Sequence, residues 1–395
     1  MKKIKIRPVW LLDVLSFSNR AKQRKKRIEK TKEAPVRADY SINRLAGELH
    51  PEQLCLVVRD CVSFEEAQGT LFTLSRKGGG PLPVFEAGQY LTFTFAIGES
   101  LLSRSYSICS SPREAREGFY RIYVREGPDS FAAGWIRKNW KSGAELKAHG
   151  PNGTFTMRPL RDEKQILALA GGSGITPFVS MAKAIRDGLA DFCLTILYGA
   201  RTAAQMPFLG KLREISEKCP LIRVVPVLSD VRDHDAPDGF ETGWIGEDMV
   251  RKYMPQGPFS LFFCGPRPMY ELACQTAGAL GLKRKNLRYE SFGLSSDDKA
   301  NGNGSCRVRV LLPDGEELEL VAQRNESLLV AFERGGIAVR SGCRSGSCGF
   351  CRCRVLQGEY QIQESEKARR RADSEHSYVH TCVCFPRTDL CVALD

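Results

Sequence analysis

The sequence lacks any apolar run long enough to cross a membrane. A span needs about 18 apolar residues, and the longest candidate, Val9–Phe17, is short and contains Asp13. No small-residue cleavage site follows it, which argues against a secretory signal. The chain nevertheless carries fifteen cysteines. We therefore expect a cytoplasmic protein whose clustered thiols bind metal or carry out redox chemistry rather than form disulfides.

Acidic residues are scarce at the N-terminal end, where the net positive charge is concentrated. The formal charge is +12, and residues 1–39 contain thirteen Lys and Arg against four Asp and Glu. The nearly balanced remainder argues against a nucleic-acid-binding core. The apolar run is followed by the basic RAKQRKKR, a pattern typical of an interfacial anchor. Our hypothesis is a peripheral contact of residues 1–35 with the inner face of the membrane; a solvated tail is the alternative.

Histidine is also rare, with five residues, and we assign none of them as a general base. The length of 395 residues predicts two or three domains. From about 50 to 160, short strand-like runs alternate with Gly/Pro turns, which predicts an antiparallel barrel or sandwich. From about 163, apolar runs alternate with amphipathic helices, which predicts a parallel sheet. The polar, glycine-rich stretch 294–305 predicts a linker, after which a strand pair joined by Asp-Gly opens a new domain.

Four cysteines in the last 90 residues have the spacing of a metal centre. Cys343, Cys348 and Cys351 are arranged C-x4-C-x2-C, and Cys382 follows 31 residues after Cys351. This is the plant-type ferredoxin arrangement for a 2Fe–2S cluster. The glycines and serines between the first three cysteines allow backbone N–H groups to approach the cluster. A four-cysteine zinc site, which usually pairs its ligands as two C-x2–4-C knuckles, is the alternative. By spacing, Cys353 and Cys384 are bystanders.

Three further motifs indicate nucleotide cofactors. In RSYS, residues 104–107, an arginine can pair with a phosphate, and a tyrosine two residues on shares its strand face and can stack on a planar cofactor. GGSGITPF, residues 171–178, follows an apolar strand and opens a helix, as a pyrophosphate-binding turn does. FFCGPRPM, residues 262–269, ends another apolar strand, where ligands bind in parallel sheets.

In this order the motifs resemble the ferredoxin–NADP reductase superfamily, over roughly residues 50–395. Within it the chain is similar to reductases that carry a C-terminal ferredoxin domain and serve oxygenases, hydroxylases and desaturases. The implied fold is multidomain, with an antiparallel β-barrel flavin domain, an α/β parallel-sheet nucleotide domain and a C-terminal β-grasp-like α+β ferredoxin domain. The implied division is a basic N-terminal extension at 1–45, an FAD-binding domain at 46–160, an NAD(P)H-binding domain at 161–293, a linker at 294–304 and a 2Fe–2S domain at 305–395.

The resemblance also implies roles for individual residues. Flavin contacts fall on Arg104 at the phosphate, Tyr106 and Ser107 at the ring, the strand segment Tyr123, Val124 and Arg125, and Ser130 near the pyrophosphate. Nucleotide contacts fall on Gly172, Gly174, Thr176, Pro177, Gly265, Pro266 and Met269. The reaction centre comprises Cys264 beside the nicotinamide and Glu290 and Phe292 next to the flavin ring, with Thr176 counted among its residues. Separately, Arg201 follows an apolar strand, where it fits a 2′-phosphate, a ribose or an adenine.

The function implied is electron transfer from NAD(P)H through a flavin to the cluster at Cys343, Cys348, Cys351 and Cys382, and on to a partner redox protein. FAD is favoured over FMN, and the choice between NADH and NADPH stays open. A non-catalytic redox sensor or relay subunit is the alternative, and reversed electron flow is a further one. The basic run KARRR, residues 367–371, either steers an acidic partner or is solvated surface. The N-terminal extension has no counterpart in the shared pattern.

Overall fold

The computed structural model describes residues 11–30, 41–49, 51–127, 130–230, 236–292, 303–362 and 371–394. The chain divides into two compact units, residues 1–48 and residues 49–395. Several predicted features fall outside the described residues: residues 1–10 and 31–40 of the N-terminal extension, the linker up to residue 302 and the KARRR run up to residue 370.

The N-terminal unit contains helix α1 (Leu11–Lys30) and most of helix α2 (Ser41–Leu49). On α1 the side chains of residues 12–27 are exposed, including Leu12, Val14, Leu15 and Phe17. Among the helices in the described parts of the chain, none is both long and apolar enough to cross a membrane.

The second unit begins with a six-stranded antiparallel sheet. Its strands are β1 (Leu54–Phe64), β2 (Gly69–Arg76), β3 (Tyr90–Ile97), β4 (Ser100–Ser107), β5 (Phe119–Arg125) and β6 (Glu145–Asn152), in the order β4-β3-β6-β1-β2-β5. Alternate residues of β1, including Leu54, Leu56 and Val58, are buried, as period-two alternation requires. A bridge between Ile108 and Ile122 connects the end of β4 to β5, the two edge strands.

Two short helices accompany this sheet, α3 (Pro112–Arg116) and α4 (Phe131–Asn139). A capping box starts α3: the backbone N–H of Glu114 donates to Ser111 Oγ, and the backbone N–H of Ser111 donates to the Glu114 carboxylate. Ser130 is the N-cap residue of α4.

The second sheet is parallel throughout. Its strands are β7 (Gln165–Gly171), β8 (Cys193–Ala200), β9 (Ile222–Leu228), β10 (Glu241–Thr242), β11 (Ser260–Cys264) and β12 (Leu287–Glu290), in the order β10-β9-β8-β7-β11-β12. Its helices are α5 (Thr176–Arg186), α6 (Leu209–Lys218), α7 (Glu247–Tyr253) and α8 (Arg267–Ala279). On β7, Ile166 and Ala168 face one apolar core while Leu167 and Leu169 face another. Both faces of the sheet are therefore covered, which explains its continuous apolar runs.

The C-terminal domain has a mixed five-stranded sheet and a two-stranded one. The strands are β13 (Ser305–Leu311), β14 (Glu317–Gln323), β15 (Arg352–Gln357), β16 (Tyr360–Ile362), β17 (Tyr378–His380), β18 (Cys384–Pro386) and β19 (Leu390–Leu394), in the orders β14-β13-β19-β15-β17 and β16-β18. The helices are α9 (Leu328–Arg334) and α10 (Arg371–Glu375). The predicted Asp-Gly turn joins β13 to β14, with Gly315 at φ +89°.

The predicted multidomain architecture is confirmed at this level: an antiparallel sheet domain, a parallel sheet domain and a C-terminal domain follow one another. A buried ion pair lies where the first two adjoin. Arg288 on β12 donates from Nε and Nη2 to the two carboxylate oxygens of Asp162, at 3.0 and 2.9 Å. The same arginine donates to Thr154 O at 3.3 Å, just beyond β6. The domain boundaries given above stay predictions.

Candidate redox and nucleotide site

Three neighbouring strands of the parallel sheet end at the same place. Cys264, the last residue of β11, is in register with Ala170 of β7 on one side and with Glu290 of β12 on the other. The turns that follow β7 and β11 therefore lie next to each other at the carboxyl edge of the sheet. This edge is where open parallel sheets bind their ligands.

The glycine-rich turn after β7 fits closely against the turn after β11. A Cβ atom on Gly171 would lie 2.7 Å from Pro266 Cδ and 2.9 Å from Met269 Sδ. A Cβ on Gly174 would lie 2.1 Å from the carbonyl oxygen of Cys264. Only glycine fits at these two positions, so the sequence motif reflects a close packing of two backbone turns.

Helix α5 starts from this turn, with Pro177 in its first turn and Thr176 Oγ1 donating to Ser173 O at 3.0 Å. Gly172 has a φ of +53°, and a Cβ there would lie 2.7 Å from Arg125 Nη1. An arginine from the antiparallel sheet thus reaches the nucleotide-binding turn. An exposed guanidinium beside a helix N-terminus is suited to a phosphate.

Glu290, the strand neighbour of Cys264, meets Ser107 where the two sheets adjoin. Ser107 Oγ donates to Glu290 Oε2 at 3.2 Å. Burial raises the pKa of Glu290 to about 8, although the Ser107 hydrogen bond opposes this shift. Burial also raises the pKa of the Cys264 thiol well above its usual value. The site therefore combines an uncharged thiol and a carboxyl group that resists ionisation, beside the end of the RSYS strand.

On β4, Arg104 is paired with a residue of the C-terminal domain. Its Nη1 donates to Glu333 Oε1 at 3.0 Å and to Ser103 O at 2.7 Å. Tyr106, two residues on, is half-buried, with its ring centroid 6.2 Å from that of Phe93. The motif thus supplies a guanidinium and an aromatic ring from one strand face, as its spacing predicts.

The three β5 residues have different surroundings. Tyr123 is buried; its hydroxyl donates to Ala67 O at 3.2 Å and its ring packs edge-on against Phe208 at 5.4 Å. Val124 lies in the core of the antiparallel sheet. Arg125 is the exposed member, and its guanidinium is the one beside Gly172. The Tyr123 and Val124 side chains therefore have packing partners of their own, and their flavin contacts stay predictions.

Ser130 borders a surface pocket at the N-terminus of α4. The pocket has a volume of about 490 Å³ and is lined by Glu126, Gly127, Ser130, Phe131, Gly134, Trp135 and Lys138. Trp135 stacks on Phe95 at 5.2 Å, which fixes one wall. The pocket combines the aromatic rings of Phe131 and Trp135 with Lys138, a cationic side chain in the last turn of the helix. Arg201 is exposed beyond the end of β8, apart from this pocket's lining.

The segment after β12 contacts the cysteine-rich loop. Phe292 lies edge-on to Tyr90, with ring centroids 5.5 Å apart and an interplanar angle of 87°. Ser345 Oγ donates to Ser291 O at 3.1 Å. The Tyr90 hydroxyl hydrogen-bonds to Cys348. A Cβ on Gly342 would lie 2.8 Å from the same hydroxyl oxygen. The end of the parallel sheet, a flavin-domain tyrosine and the cysteine loop thus meet at one place.

The four predicted ligand thiols are brought together. Cys343 hydrogen-bonds to Cys348 and Cys382, and Cys351 to Cys382. In the described residues, no three or more His, Cys, Asp or Glu side chains are grouped to hold one metal ion. The contacts run from Cys348 to Cys343, then to Cys382 and Cys351, so the four thiols are neighbours in one series, as four ligands of a single cluster would be.

The loop backbone surrounds the Cys343 sulfur with donors. The backbone N–H groups of Ser345, Ser347 and Cys348 lie 3.3 to 3.4 Å from Cys343 Sγ. That of Gly346 lies 3.3 Å from Cys382 Sγ. Hydrogen bonds from Cys348, Cys382 and this backbone hold the pKa of Cys343 far below its usual value. These donors favour the thiolate form of Cys343, the form that binds iron, and their approach to the sulfurs fits a cluster in this loop.

Left-handed backbone at Arg344, Gly346 and Gly349 gives the loop this shape, with φ of +55°, +79° and +79°. His380 supports it from behind, with Nδ1 2.6 Å from Gly346 O. The two additional cysteines, Cys353 and Cys384, lie in the apolar core of the C-terminal domain.

Sequence reasoning missed several residues of this site. They are Tyr90, Ser105, Glu333 and Arg344, which connect the antiparallel sheet to the C-terminal domain. Glu333 follows an apolar helix pattern, in which a glutamate indicates a solvated face. No local signal distinguishes it, because its partners on β4 are more than 200 residues away.

Comparison with protein-family models agrees with the two halves of the site. Residues 168–275 match the model described as an oxidoreductase NAD-binding domain. Residues 311–387 match a 2Fe-2S iron-sulfur cluster binding domain. The first match contains the glycine-rich turn and CGPRPM, and the second contains all four ligand cysteines.

Curated relatives align over about three quarters of the chain. The chain is 27% identical over 329 residues to the glycine betaine monooxygenase reductase subunit of Chromohalobacter salexigens, covering 78% of this chain and 87% of that protein. It is 28% identical over 319 residues to the ferredoxin reductase component of 3-ketosteroid-9-alpha-monooxygenase from Rhodococcus rhodochrous, covering 77% and 86%. Among solved structures, phthalate dioxygenase reductase matches with a TM-score of 0.62 at 23% identity, covering 87% of this chain and 98% of that one. At that identity the structural likeness is one of fold.

Proposed function

We propose that the chain, which belongs to the ferredoxin–NADP reductase superfamily and carries a C-terminal 2Fe–2S ferredoxin domain, transfers electrons from NADH through FAD and the cluster to a terminal oxygenase component. It is an NAD(P)H-dependent iron–sulfur flavoprotein oxidoreductase that passes electrons to a partner redox protein; the particular donor, flavin and partner are the proposal. The observation that carries it is the convergence of three pieces at residues 290–292. Glu290 meets the RSYS strand, Ser291 meets the cysteine loop and Phe292 meets Tyr90.

When bound, the flavin accepts a two-electron hydride from the nicotinamide and the 2Fe–2S cluster carries electrons onward one at a time. The chain's own residues bind and align these groups. Gly172 and Gly174 let the nucleotide approach the N-terminus of α5, where Pro177 and Thr176 begin the helix. Cys264, held at the strand edge beside Glu290, faces the nicotinamide.

The flavin is assigned to the β4 face. Arg104 holds its phosphate, Tyr106 stacks on its ring, and Ser107 and Glu290 lie at the ring edge. Phe292 covers the ring next to Tyr90. The bridge between Ile108 and Ile122 supports a closed barrel for the antiparallel sheet, and the mixed sheet packed on α9 supports a β-grasp-like ferredoxin domain.

The pocket beside Ser130 favours FAD over FMN. Its volume of about 490 Å³ lies within the ligand-pocket range of about 300–1,000 Å³. Phe131 and Trp135 offer aromatic surface for an adenine, and Lys138 offers charge for the pyrophosphate. Releasing the flavin by heat and identifying it by chromatography tests this assignment. Recovery of FMN would contradict it.

NADH is the proposed donor, and Arg201 is the residue that we use to distinguish it from NADPH. Its guanidinium is exposed at the carboxyl edge of the sheet, where it would meet a 2′-phosphate in NADPH or a ribose in NADH. We expect Arg201→Ala to change kcat/KM for NADH only slightly. Where a reaction with NADPH is detectable, its kcat/KM should change more. A wild-type preference for NADPH that Arg201→Ala abolishes would refute NADH as the donor.

A terminal oxygenase or hydroxylase is the proposed acceptor. The glycine betaine and 3-ketosteroid relatives are by name reductase components of monooxygenases. The supporting feature in this chain is its C-terminal ferredoxin domain, through which electrons would pass to a partner one at a time.

A membrane role for the N-terminal unit is the secondary proposal. Leu12, Val14, Leu15 and Phe17 are exposed on α1, and the basic run from Arg20 to Arg27 follows on the same helix. Such a helix fits an anionic lipid surface. Co-sedimentation with anionic vesicles tests it: full-length protein should pellet while protein lacking residues 1–48 stays in solution. Equal recovery of the two would leave the solvated-tail alternative.

The main test is an anaerobic titration of iron-reconstituted protein with NADH and, separately, NADPH, followed by visible absorption and EPR. Bleaching of the flavin and a reduced 2Fe–2S signal are expected together. Flavin bleaching with zinc in place of iron and sulfide would refute the electron-transfer function. A non-catalytic relay subunit would show no rapid oxidation of NADH with an artificial acceptor, and this outcome would favour the second candidate.

A further inference from the structure

A buried carboxylate joins the cysteine loop to the strand that carries RSYS. Glu333, the penultimate residue of α9, is 4% exposed. Its Oε1 accepts from the backbone N–H of Ser103 at 2.9 Å, from Arg104 Nη1 at 3.0 Å and from Arg344 Nη1 at 2.6 Å. A buried carboxylate is costly unless it is paired and hydrogen-bonded, and here it is both.

The three donors come from two domains. Ser103 and Arg104 belong to β4, the proposed flavin strand. Arg344 directly follows the ligand Cys343 and also donates to Ser103 O at 3.3 Å. One side chain on α9 therefore contacts the residue proposed to hold the flavin phosphate and the residue beside a cluster ligand.

Glu333 also separates two like charges. Burial lowers the pKa of Arg104, and the nearby charge of Arg344 lowers it further, whereas Glu333 opposes both effects. Without the carboxylate, two half-buried guanidinium groups would repel each other across the domain boundary. In the described residues, the hydrogen bonds from Arg104 to Glu333 use Nη1 alone. The N–H groups on Nε and Nη2 of the guanidinium can therefore donate to a phosphate.

The contact extends along the same boundary. Ser105 Oγ donates to Gly342 O at 2.9 Å, one residue before Cys343. A Cβ on Gly336, just after α9, would lie 3.0 Å from Glu99 O. Residues from 99 to 105 thus pack against both the end of α9 and the cysteine loop, with the Glu333 carboxylate between them.

We propose that Glu333 is a positioning residue that holds the cysteine loop against the RSYS strand and so sets the rate at which one electron passes from the flavin to the cluster. The step itself transfers one electron and makes or breaks no covalent bond. This inference rests on the proposed function. It goes beyond it by assigning the alignment of the two redox groups to a residue that contacts neither of the reacting groups directly.

The test uses Glu333→Gln, which keeps the side chain's shape and removes its charge. Glu317→Gln is the matched control, because Glu317 lies in the same domain but is exposed, with its carboxylate 3.9 Å from Arg309. Rapid mixing with NADH separates flavin reduction from cluster reduction. Hydrogen exchange of peptides covering 99–107 and 336–348, measured on the oxidised protein without NADH, reports the contact independently of activity.

For Glu333→Gln we expect cluster reduction to slow by about tenfold, because the charge-assisted hydrogen bonds to Arg104 and Arg344 are weakened and the loop spends less time docked on the strand. Exchange should increase in both peptides, while flavin reduction stays close to the control's. A cluster reduction rate equal to that of Glu317→Gln, with or without faster exchange, would overturn the proposal.

Iron and sulfide content is measured on every variant, in case Glu333→Gln fails to assemble its cluster. Glu333→Asp then replaces it: the charge is kept, but the shorter side chain cannot reach all three donors. It should retain the cluster and slow only its reduction, and an unchanged rate would again overturn the proposal. Failure of the unmodified protein to reduce its cluster would refute the proposed function instead, before any variant is compared.

Discussion

Replacing Gly174 by alanine should displace the nucleotide-binding turn from the end of β11. The added Cβ would lie 2.1 Å from the carbonyl oxygen of Cys264, 2.5 Å from its carbon and 2.8 Å from the nitrogen of Gly265. An ordinary contact begins at 3.4 Å, so the atoms must separate by about 1.3 Å. All three clashing atoms are backbone, and no side-chain rotation relieves them.

The turn has to move, because β11 cannot retreat. Strand β11 is hydrogen-bonded on both sides, to β7 and to β12. Overpacking of this kind costs about 1–3 kcal/mol of folding free energy. A misplacement near 1 Å in a reactant-aligning element costs about 100-fold in rate. We therefore expect the rate of flavin reduction by NADH to fall by roughly two orders of magnitude, with a smaller loss of thermal stability.

Stopped-flow measurement of flavin reduction over a range of NADH concentrations is the assay. Gly278→Ala is the control, because this glycine is on α8 in the same domain and a Cβ there would meet nothing within 4 Å. Its rate should match the wild type, and its stability should be equal or slightly higher, as alanine favours helix. A Gly174→Ala protein that reduces its flavin at the rate of the Gly278→Ala control would refute the packing argument.

Three other predictions concern the cluster and the domain boundary. Tyr90→Phe should lower the cluster's reduction potential, by roughly 60 mV if one hydrogen bond to the sulfur is worth a tenfold change in equilibrium; a potentiometric titration with an unchanged midpoint would contradict this. Cys348→Ser should lose the 2Fe–2S spectrum while NADH still bleaches the flavin, whereas Cys353→Ala should keep two irons per chain by metal analysis. Asp162→Asn should destabilise the protein to urea by about 3–5 kcal/mol, while the exposed Asp389→Asn should have a much smaller effect; similar losses for the two would argue against the effect of burial.

Much of the fold could be predicted because its signals are local. The run QILALAG became β7, and the following GGSGITPF became a short turn and the start of α5. Both faces of β7 are covered, so its residues are uniformly apolar and easily recognised. The cysteine spacing was equally informative, since C-x4-C-x2-C fixes how far apart thiols can lie along one loop.

The contacts between the antiparallel sheet and the C-terminal domain could not be predicted from the sequence. Glu333 accepts from Ser103 across 230 positions, and Ser105 reaches Gly342 across 237. A glutamate near the end of an amphipathic helix is ordinarily solvated, and only the packing of another domain makes it buried. Tyr90 is similar: an aromatic residue that begins a strand predicts core packing, and its hydroxyl's sulfur contact depends on where the loop docks.

The segment that ends the parallel sheet explains why these long-range contacts occur at one place. Glu290 is the last residue of β12 and is fixed by pairing with Cys264, so the backbone leaves the sheet at a defined point. Its carboxyl contacts Ser107, the carbonyl of the next residue accepts from Ser345, and the ring two residues on packs on Tyr90. Three consecutive residues thus contact the flavin strand and the cysteine loop. Because one short backbone segment is common to both sets of contacts, a shift of the parallel sheet would move the RSYS strand and the loop together. Their mutual alignment depends instead on the direct contacts between them, through Glu333 and between Ser105 and Gly342.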